Sequence, residues 1–255
     1  MRALYAAATG MAAQQTNLDT VANNLANVQT AGYKRSRASF QDLYYQELTH
    51  GGRDASSARI DVGSGVQVSG VDKTFQAGSI NESGNPLDVA IMGNRGFFQL
   101  QDQGGNQFFT RDGQFRLDAN GQVVSASGLS LGGLTIPEGA NQVIISPEGE
   151  VNAFFDGSPD PSFVGQLPIV DFQNPAGLRS VGGNLFQETV QSGQAMQLDS
   201  QESGVTVRQG AFEGSNVDVA TELVNMILTQ RAYELNSKAV QAADDTLRVV
   251  TSLRR

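Results

Sequence analysis

The chain has 255 residues, with 17 Lys and Arg against 26 Asp and Glu (net charge −9 at neutral pH), 29 Gly, one His and neither Cys nor Trp. This composition excludes disulfide frameworks, thiolate metal sites and Cys nucleophiles. It leaves His50 as the sole imidazole for a Ser-His-Asp relay, argues against binding to phosphate backbones, and contains no run near the roughly 18 apolar residues of a membrane span.

The first thirty residues read as a helix. Leu4, Met11, Leu18 and Leu25 recur every seven positions, with Ala7, Val21 and Val28 three residues beyond. That is an a/d seam, narrower than the apolar face of a core helix. Ala-rich stretches favour the helix by propensity. Gly32 then marks its end, with Lys34, Arg35 and Arg37 placed to complement the helix dipole. Arg2 and the small residues after it also fit a signal peptide, but the helical period runs on through Gln14, Gln15, Asn17 and Asp19, so the segment is read as mature protein.

From Leu48 to Gly65 the residues are small and polar without an apolar period, and a flexible loop or linker is expected. The period then becomes two, at Val66/Val68 and Val89/Ile91. Asp112-Gly113 and Asn120-Gly121 read as hairpin turns. Further apolar runs at Val143–Ile145, Val151–Phe155 and Leu167–Val170 are divided by Pro147-Glu148-Gly149 and Pro159-Asp160-Pro161. The middle is expected to be an antiparallel β-domain, a distorted barrel or sandwich.

A second helix closes the chain. Ser215-Asn216-Val217-Asp218 is a start signal, and Leu228, Leu235, Ala242 and Val249 again stand seven apart, with Val224, Ala232, Ala239 and Leu253 on the same face. Arg248, Arg254 and Arg255 occupy its last turns. About 35 helical residues would span roughly 50 Å, too long for the core of a small domain. Arg231 falls between Leu228 and Leu235 and is expected to pair with Glu222, Glu234 or a carboxylate of a neighbouring molecule.

Narrow seams bury little, and ordering the backbone costs about 1–2 kcal/mol per residue. The two helices therefore gain most when several copies share their seams, which implies a self-assembling chain whose ends order on polymerisation. An ordinary intramolecular coiled coil is the plainer alternative.

Ala22-Asn23-Asn24-Leu25-Ala26-Asn27-Val28 with Thr30-Ala31-Gly32-Tyr33-Lys34 resembles the N-terminal signature of the bacterial flagellar rod and hook family. Ser215–Asp218, Glu222-Leu223-Val224 and Gln230-Arg231-Ala232-Tyr233-Glu234 resemble its C-terminal partner. Pro86–Ile91, Gly96-Phe97-Phe98, Thr110–Gly113 and Asn184-Leu185-Phe186 before Thr189 match between them. The segment from about Phe40 to Val71 is similar to the arm of the distal-rod members, with proximal-rod or hook-like proteins as the alternative within the family. The resemblance implies an α+β chain. Paired terminal helices over 1–34 and 216–255 would form a discontinuous coiled-coil domain, 35–71 an extended arm or linker, and 72–215 a central all-β domain.

It also implies a structural subunit and no enzyme: a helical homopolymer forming a hollow drive shaft that carries torque across the periplasm to the hook. The implied partners are itself, other rod proteins, the hook and its junction, the surrounding basal-body rings and the type III export apparatus, with no cofactor, nucleic acid or membrane insertion. Export without a cleaved signal peptide follows the same likeness. Assembly contacts are expected at Leu4, Met11, Leu18, Val21, Leu25, Val28, Val224, Leu228, Arg231, Leu235, Ala239, Ala242 and Val249. Phe40 and Tyr44 match the family's short export motif, or else form a plain pair of buried aromatics.

Sharper chemical readings fare worse. Asn81-Glu82-Ser83 fits a glycosylation acceptor but reads as a turn. Gly63-Ser64-Gly65 with Gly70 lacks dinucleotide-loop spacing, and Asp118–Gly121 lacks a closing calcium-loop Glu, Leu129 standing there. Asp244 and Asp245 point about 100° apart on a helix and share no proton. His50 has no acid beside it in sequence. A secreted glycan hydrolase would need paired carboxylates and usually aromatic platforms. A monomeric adhesin would not need heptads at both ends.

Overall fold

The computed structural model describes residues 2–49, 59–156, 160–198 and 204–253. His50, Pro159, Arg254 and Arg255 lie outside them. The chain divides into two compact units, one holding 1–26, 36–73 and 218–255, the other 27–35 and 74–217.

The first unit holds helix α1 (Arg2–Ala26), helix α2 (Val219–Leu253) and strands β1 (Ser36–Asp42), β2 (Tyr45–Thr49), β3 (Arg59–Gly63) and β4 (Val66–Lys73); α1 packs against α2 and against β1 and β4. α1 stops four residues short of the expected thirty, at a turn in which Thr30 N–H donates to Asn27 O at 3.2 Å. β1 pairs antiparallel with β4, with a bulge after Ser39, and β2 pairs with β3 from Tyr45↔Gly63 to Thr49↔Arg59. The stretch expected to be a loop from Leu48 onward therefore carries the paired ends of a β-ribbon. Its polar composition concealed this, because backbone pairing needs no apolar alternation.

α2 starts at Val219, three residues later than the expected 216, and with a different capping residue. Asp218 is the N-cap, its Oδ1 accepting from Thr221 N–H at 2.7 Å, while Ser215 Oγ accepts from Val217 N–H. The side-chain and backbone hydrogen bonds of Thr221 hold the Asp218 carboxyl below its ordinary range. A lowered folded pKa contributes stability above the ordinary carboxylate value, and that contribution is lost as pH falls through the lowered one. Hydrogen exchange at the Thr221 amide, corrected for its intrinsic rate, is expected to accelerate across that acidic window. In Asp218→Ala it should be fast throughout.

The second unit contains β5 (Ile80–Glu82), β6 (Val89–Met92), β7 (Phe97–Gln101), β8 (Gln107–Thr110), β9 (Phe115–Leu117), β10 (Gln122–Ser125), β11 (Ser130–Thr135), β12 (Ala140–Ile145), β13 (Glu150–Phe155), β14 (Ser162–Gln166), β15 (Ile169–Asp171), β16 (Arg179–Gly182), β17 (Leu185–Gln187), β18 (Met196–Gln197), β19 (Thr206–Gln209) and β20 (Ala211–Glu213). Its largest sheet runs β16-β17-β8-β7-β11-β10-β9, with β15 bridging β7 and β18. β12-β13-β14 form a separate meander, and β19 and β20 pair with β6 and β5. Every pairing is antiparallel. Among the described residues no sheet closes into a barrel, and the fold is α+β.

The core of this unit has two parts. Val89, Ile91, Phe98, Leu100, Phe115, Leu131, Val151 and Ile169 form the larger. Phe97, Phe109, Val170, Phe172, Leu178 and Phe186 form the smaller, with Phe75 packed on it, its rings edge to face at 4.8–6.1 Å. Such aromatic pairs add about 0.5–1.5 kcal/mol beyond their buried area.

Asn120-Gly121 turns β9 into β10 as expected, with Gly121 at φ 74°. Asp112-Gly113 does not make a hairpin, since β8 pairs with β7 and β17 and β9 with β10. Gly113 is needed for closeness: a Cβ there would lie 1.7 Å from Val89 O. Asn81 lies in strand β5 rather than in a turn.

Candidate functional sites: a two-helix face and a buried ion cluster

The seam that joins α1 to α2 is not the apolar one. Asn17 Nδ2 donates to Thr229 Oγ1 at 2.8 Å, Asn24 Nδ2 to Glu222 Oε2 at 3.3 Å, and a Cβ on Gly10 would meet Asn236 Nδ2 at 2.9 Å. These pairs step by seven residues up one helix and down the other, so the helices run antiparallel in a heptad register. Ala7, Gly10 and Ala13 are buried, and their small size lets the backbones approach. Asn24 also ties the helix to β1, its Oδ1 accepting from Ser36 N–H at 2.9 Å and its Nδ2 donating to Ser36 O at 2.8 Å.

The expected assembly residues sit elsewhere on the two helices. On α1, Val21 is buried, while Leu4, Met11, Leu18 and Leu25 are half-buried, as is Val28 just beyond. On α2, Val224, Leu228, Leu235 and Val249 are exposed, Leu228 at 62% and Leu235 at 66%, together with Ile227, Arg231, Ala239 and Ala242. At 100° per residue this stripe is centred roughly 125° from the Glu222–Thr229–Asn236 face. Arg231 is not a buried partner of Glu222. It is exposed and paired with Glu234 at 2.9 Å, while Glu222 is committed to Asn24. Asp244 pairs with Arg248 at 3.1 Å on an exposed face, and Asp245 is exposed. Phe40 and Tyr44 are not a buried pair: both are exposed, Tyr44 at 92%.

The second unit holds a buried ion cluster that the sequence did not announce. Glu213 Oε1 accepts from Lys34 Nζ and from Gly78 N–H, both at 2.7 Å, and its Oε2 accepts from Arg111 Nη1 at 3.2 Å. All three charged side chains are fully buried. Lys34 Nζ also donates to Gln76 O at 2.8 Å, Arg111 Nη1 to Gly93 O at 3.0 Å, and the guanidinium lies 5.4 Å from the centre of the Phe97 ring.

Burial pushes the Lys34 ammonium below its ordinary value, Glu213 opposing that shift and Arg111 adding to it. Burial likewise lowers Arg111, opposed by Glu213 and by Asp171. Asp171 in turn takes a bond from Arg95 Nε at 2.7 Å. Lys34 therefore serves this cluster rather than the helix dipole, from which it stands eight residues removed.

Backbone segments converge around these charges. Gly32, at φ 67°, donates to Glu213 O at 2.8 Å, and Asn184 Nδ2 donates to Ala31 O at 2.8 Å. Asn216 Oδ1 accepts from Arg35 N–H at 2.7 Å, and its Nδ2 donates to Thr74 O at 2.8 Å and Gln76 O at 3.1 Å. A Cβ on Gly32 would sit 2.5 Å from Asp112 N. Gly32→Ala combines that clash with a left-handed backbone and is expected to cost at least about 2 kcal/mol in denaturant unfolding. A pattern search for Lys34-x₇₆-Arg111-x₁₀₁-Glu213 has no local signal to follow. The spacing becomes meaningful only once β5 and β20 pair.

Three family models match the chain: residues 4–34 match "Flagella basal body rod protein", 90–153 the "Flagellar hook protein FlgE/F/G D1 domain", and 208–253 the "Flagellar basal body rod FlgEFG protein C-terminal". The flagellar basal-body rod protein FlgG of Borreliella burgdorferi is 42% identical over 264 residues, covering 100% of this chain and 99% of that protein. FlgG of Caulobacter vibrioides is 42% identical over 262 residues, with both chains covered completely. The flagellar hook protein FlgE of Escherichia coli is 41% identical over 147 residues, covering 55% of this chain and 33% of the hook protein.

Proposed function

The chain belongs to the flagellar basal-body rod and hook family, and from that premise we propose that it is a distal-rod subunit that polymerises helically through its terminal helices. Full-length similarity to FlgG proteins supports the rod over the hook, since the hook protein is matched over only a third of its length. The observation that carries the assembly reading is the outward stripe of Val224, Ile227, Leu228, Leu235 and Val249. Contiguous exposed apolar surface of this kind marks an interaction site.

In this reading α1 and α2 line a hollow inner tube, residues 35–71 form an arm, and the β-unit forms an outer layer facing the basal-body rings. The subunit acts mechanically, carrying torque across the periplasm to the hook, with no catalytic step. It reaches its site through the flagellar export apparatus, for which exposed Phe40 and Tyr44 are available as a recognition element. Leu4, Met11, Leu18, Leu25 and Val28 supply a second apolar edge alongside the α2 stripe. A contact between two different surfaces repeats without closing, as a rod requires.

Concentrated full-length protein is expected to form straight rods by sedimentation and electron microscopy. Deleting 1–30 or 220–255 should abolish them. Rods formed by chains lacking both segments would refute the assembly reading.

A further inference from the structure

We infer that the junction between β1 and β2 binds a neutral saccharide chain, extended and β-1,4-linked. The site is a hollow of about 370 Å³ lined by Gln41, Asp42, Leu43, Tyr44, Tyr45 and Gln67, a volume within the range of small-molecule sites. The inference stands on this hollow and not on the assembly reading above.

The backbone sets these groups in place. Gln41 and Gln67 face each other across the β1–β4 ladder, and Asp42 pairs with Val66 beside them. Directly opposed residues share one face of a sheet with Cβ atoms about 4.5–5.5 Å apart, so the two carboxamides stand side by side. Leu43 N–H donates to Gly65 O at 2.9 Å, which fixes the crossing from one ladder to the next. Tyr45 then opens β2 opposite Gly63. A Cβ on that glycine would lie 3.6 Å from Tyr45 Cε1, so the ring rests beside a residue with no side chain to displace it. Tyr45 is nevertheless 61% exposed and Tyr44 92%, which leaves aromatic surface open to a ligand. Among the described residues, the side chains of Gln41, Asp42, Tyr44, Tyr45 and Gln67 form no hydrogen bond or ion pair within the chain.

The chemistry of the walls selects the ligand. A carboxamide both donates and accepts, a phenol does the same, and a carboxylate accepts. That set suits hydroxyl groups, which also do both. Asp42 repels anions, and one carboxylate among amides is a poor ligand set for a hard cation. Polar walls disfavour a wholly apolar molecule. Aromatic rings, in turn, can cover the C–H face of a pyranose, a surface that β-1,4 linkage keeps flat along the chain. Two other hollows, one lined by Asp102 and Asp118 and one by Asp112, have polar walls without an aromatic side chain.

The test uses dilute full-length protein carrying 3-fluorotyrosine at its five Tyr positions. Single Tyr→Phe variants assign the fluorine resonances. Titration with the β-1,4-linked glucose tetramer should shift the Tyr44 and Tyr45 signals saturably and leave those of Tyr5, Tyr33 and Tyr233 in place. Tyr45→Ala, read at Tyr44, should weaken binding at least about fivefold, the size of one lost aromatic contact. Gln67→Ala should weaken it as well. The absence of a saturable shift, a shift spread over all five signals, or an equal response to the α-1,4-linked glucose tetramer would overturn the inference. If Tyr45→Ala loses circular dichroism, Gln67→Ala decides, and unchanged affinity in that variant overturns the inference. None of these readouts depends on rod formation, so the result is separate from the fate of the assembly reading.

Discussion

Replacing Glu213 by Gln is expected to lower the stability of the β-rich unit by about 3–5 kcal/mol, the range for breaking a buried ion pair by removing one partner. The loss arises because the side chain keeps its shape but surrenders its charge, leaving Lys34 and Arg111 as buried cations without their shared carboxylate. Two acceptor positions on one carboxylate presently serve three donors, including the Gly78 amide. An amide offers one acceptor oxygen, and its NH₂ would face a cation. In a chain of this size each kcal/mol moves the midpoint by about 2–4 °C, so thermal unfolding should show a fall on the order of 10 °C. A shift under 2 °C would mean that the cluster is compensated elsewhere. Lys34→Met with Arg111→Met in the Glu213→Gln background should recover part of the loss, because an apolar replacement of a buried ionic set is often neutral or stabilising.

The same cluster shows which parts of the fold can be read from the amino-acid order. Helix α2 was legible as an element, because a seven-residue apolar period and a polar start signal are local, but its cap is Asp218 and its first turn begins at Val219, three residues after the expected start. The Asn120-Gly121 hairpin was legible for the same reason. Asp112-Gly113 was not, since its glycine answers to Val89 O from another strand and not to a turn. Lys34 looked like a charge at a helix end because its true partner stands 179 residues away. The ribbon of β2 and β3 was hidden by its polar composition. On the helices the apolar period was found, but an a/d reading gives weight to large apolar groups. The chain closes its own helix pair with Gly10, Asn17, Asn24, Thr229 and Asn236, residues that such a reading passes over.

That division of labour leads to the second large effect. Leu228→Glu combined with Leu235→Glu is expected to raise the concentration needed for rod formation by a hundredfold or more while leaving the single chain folded. Both side chains are exposed in the isolated chain, and substitutions at such positions usually change stability within about 0.5 kcal/mol. In the rod each Leu would be covered by a neighbour, and full burial of a Leu is worth roughly 1.5–3 kcal/mol. Two such losses at about 1.4 kcal/mol per tenfold give a factor of a hundred before the added cost of burying carboxylates is counted. Asn17→Ala with Thr229→Ala provides the contrast. It removes a hydrogen bond inside the helix pair, so the unassembled chain should show faster hydrogen exchange along α1 and α2 with the outward stripe intact. Sedimentation across a concentration series separates the two variants. If the double glutamate chain forms rods at the unsubstituted concentration, the α2 stripe is solvent-facing in the rod and the neighbouring copy must be held through the half-buried α1 edge of Leu4, Met11, Leu18 and Leu25 instead.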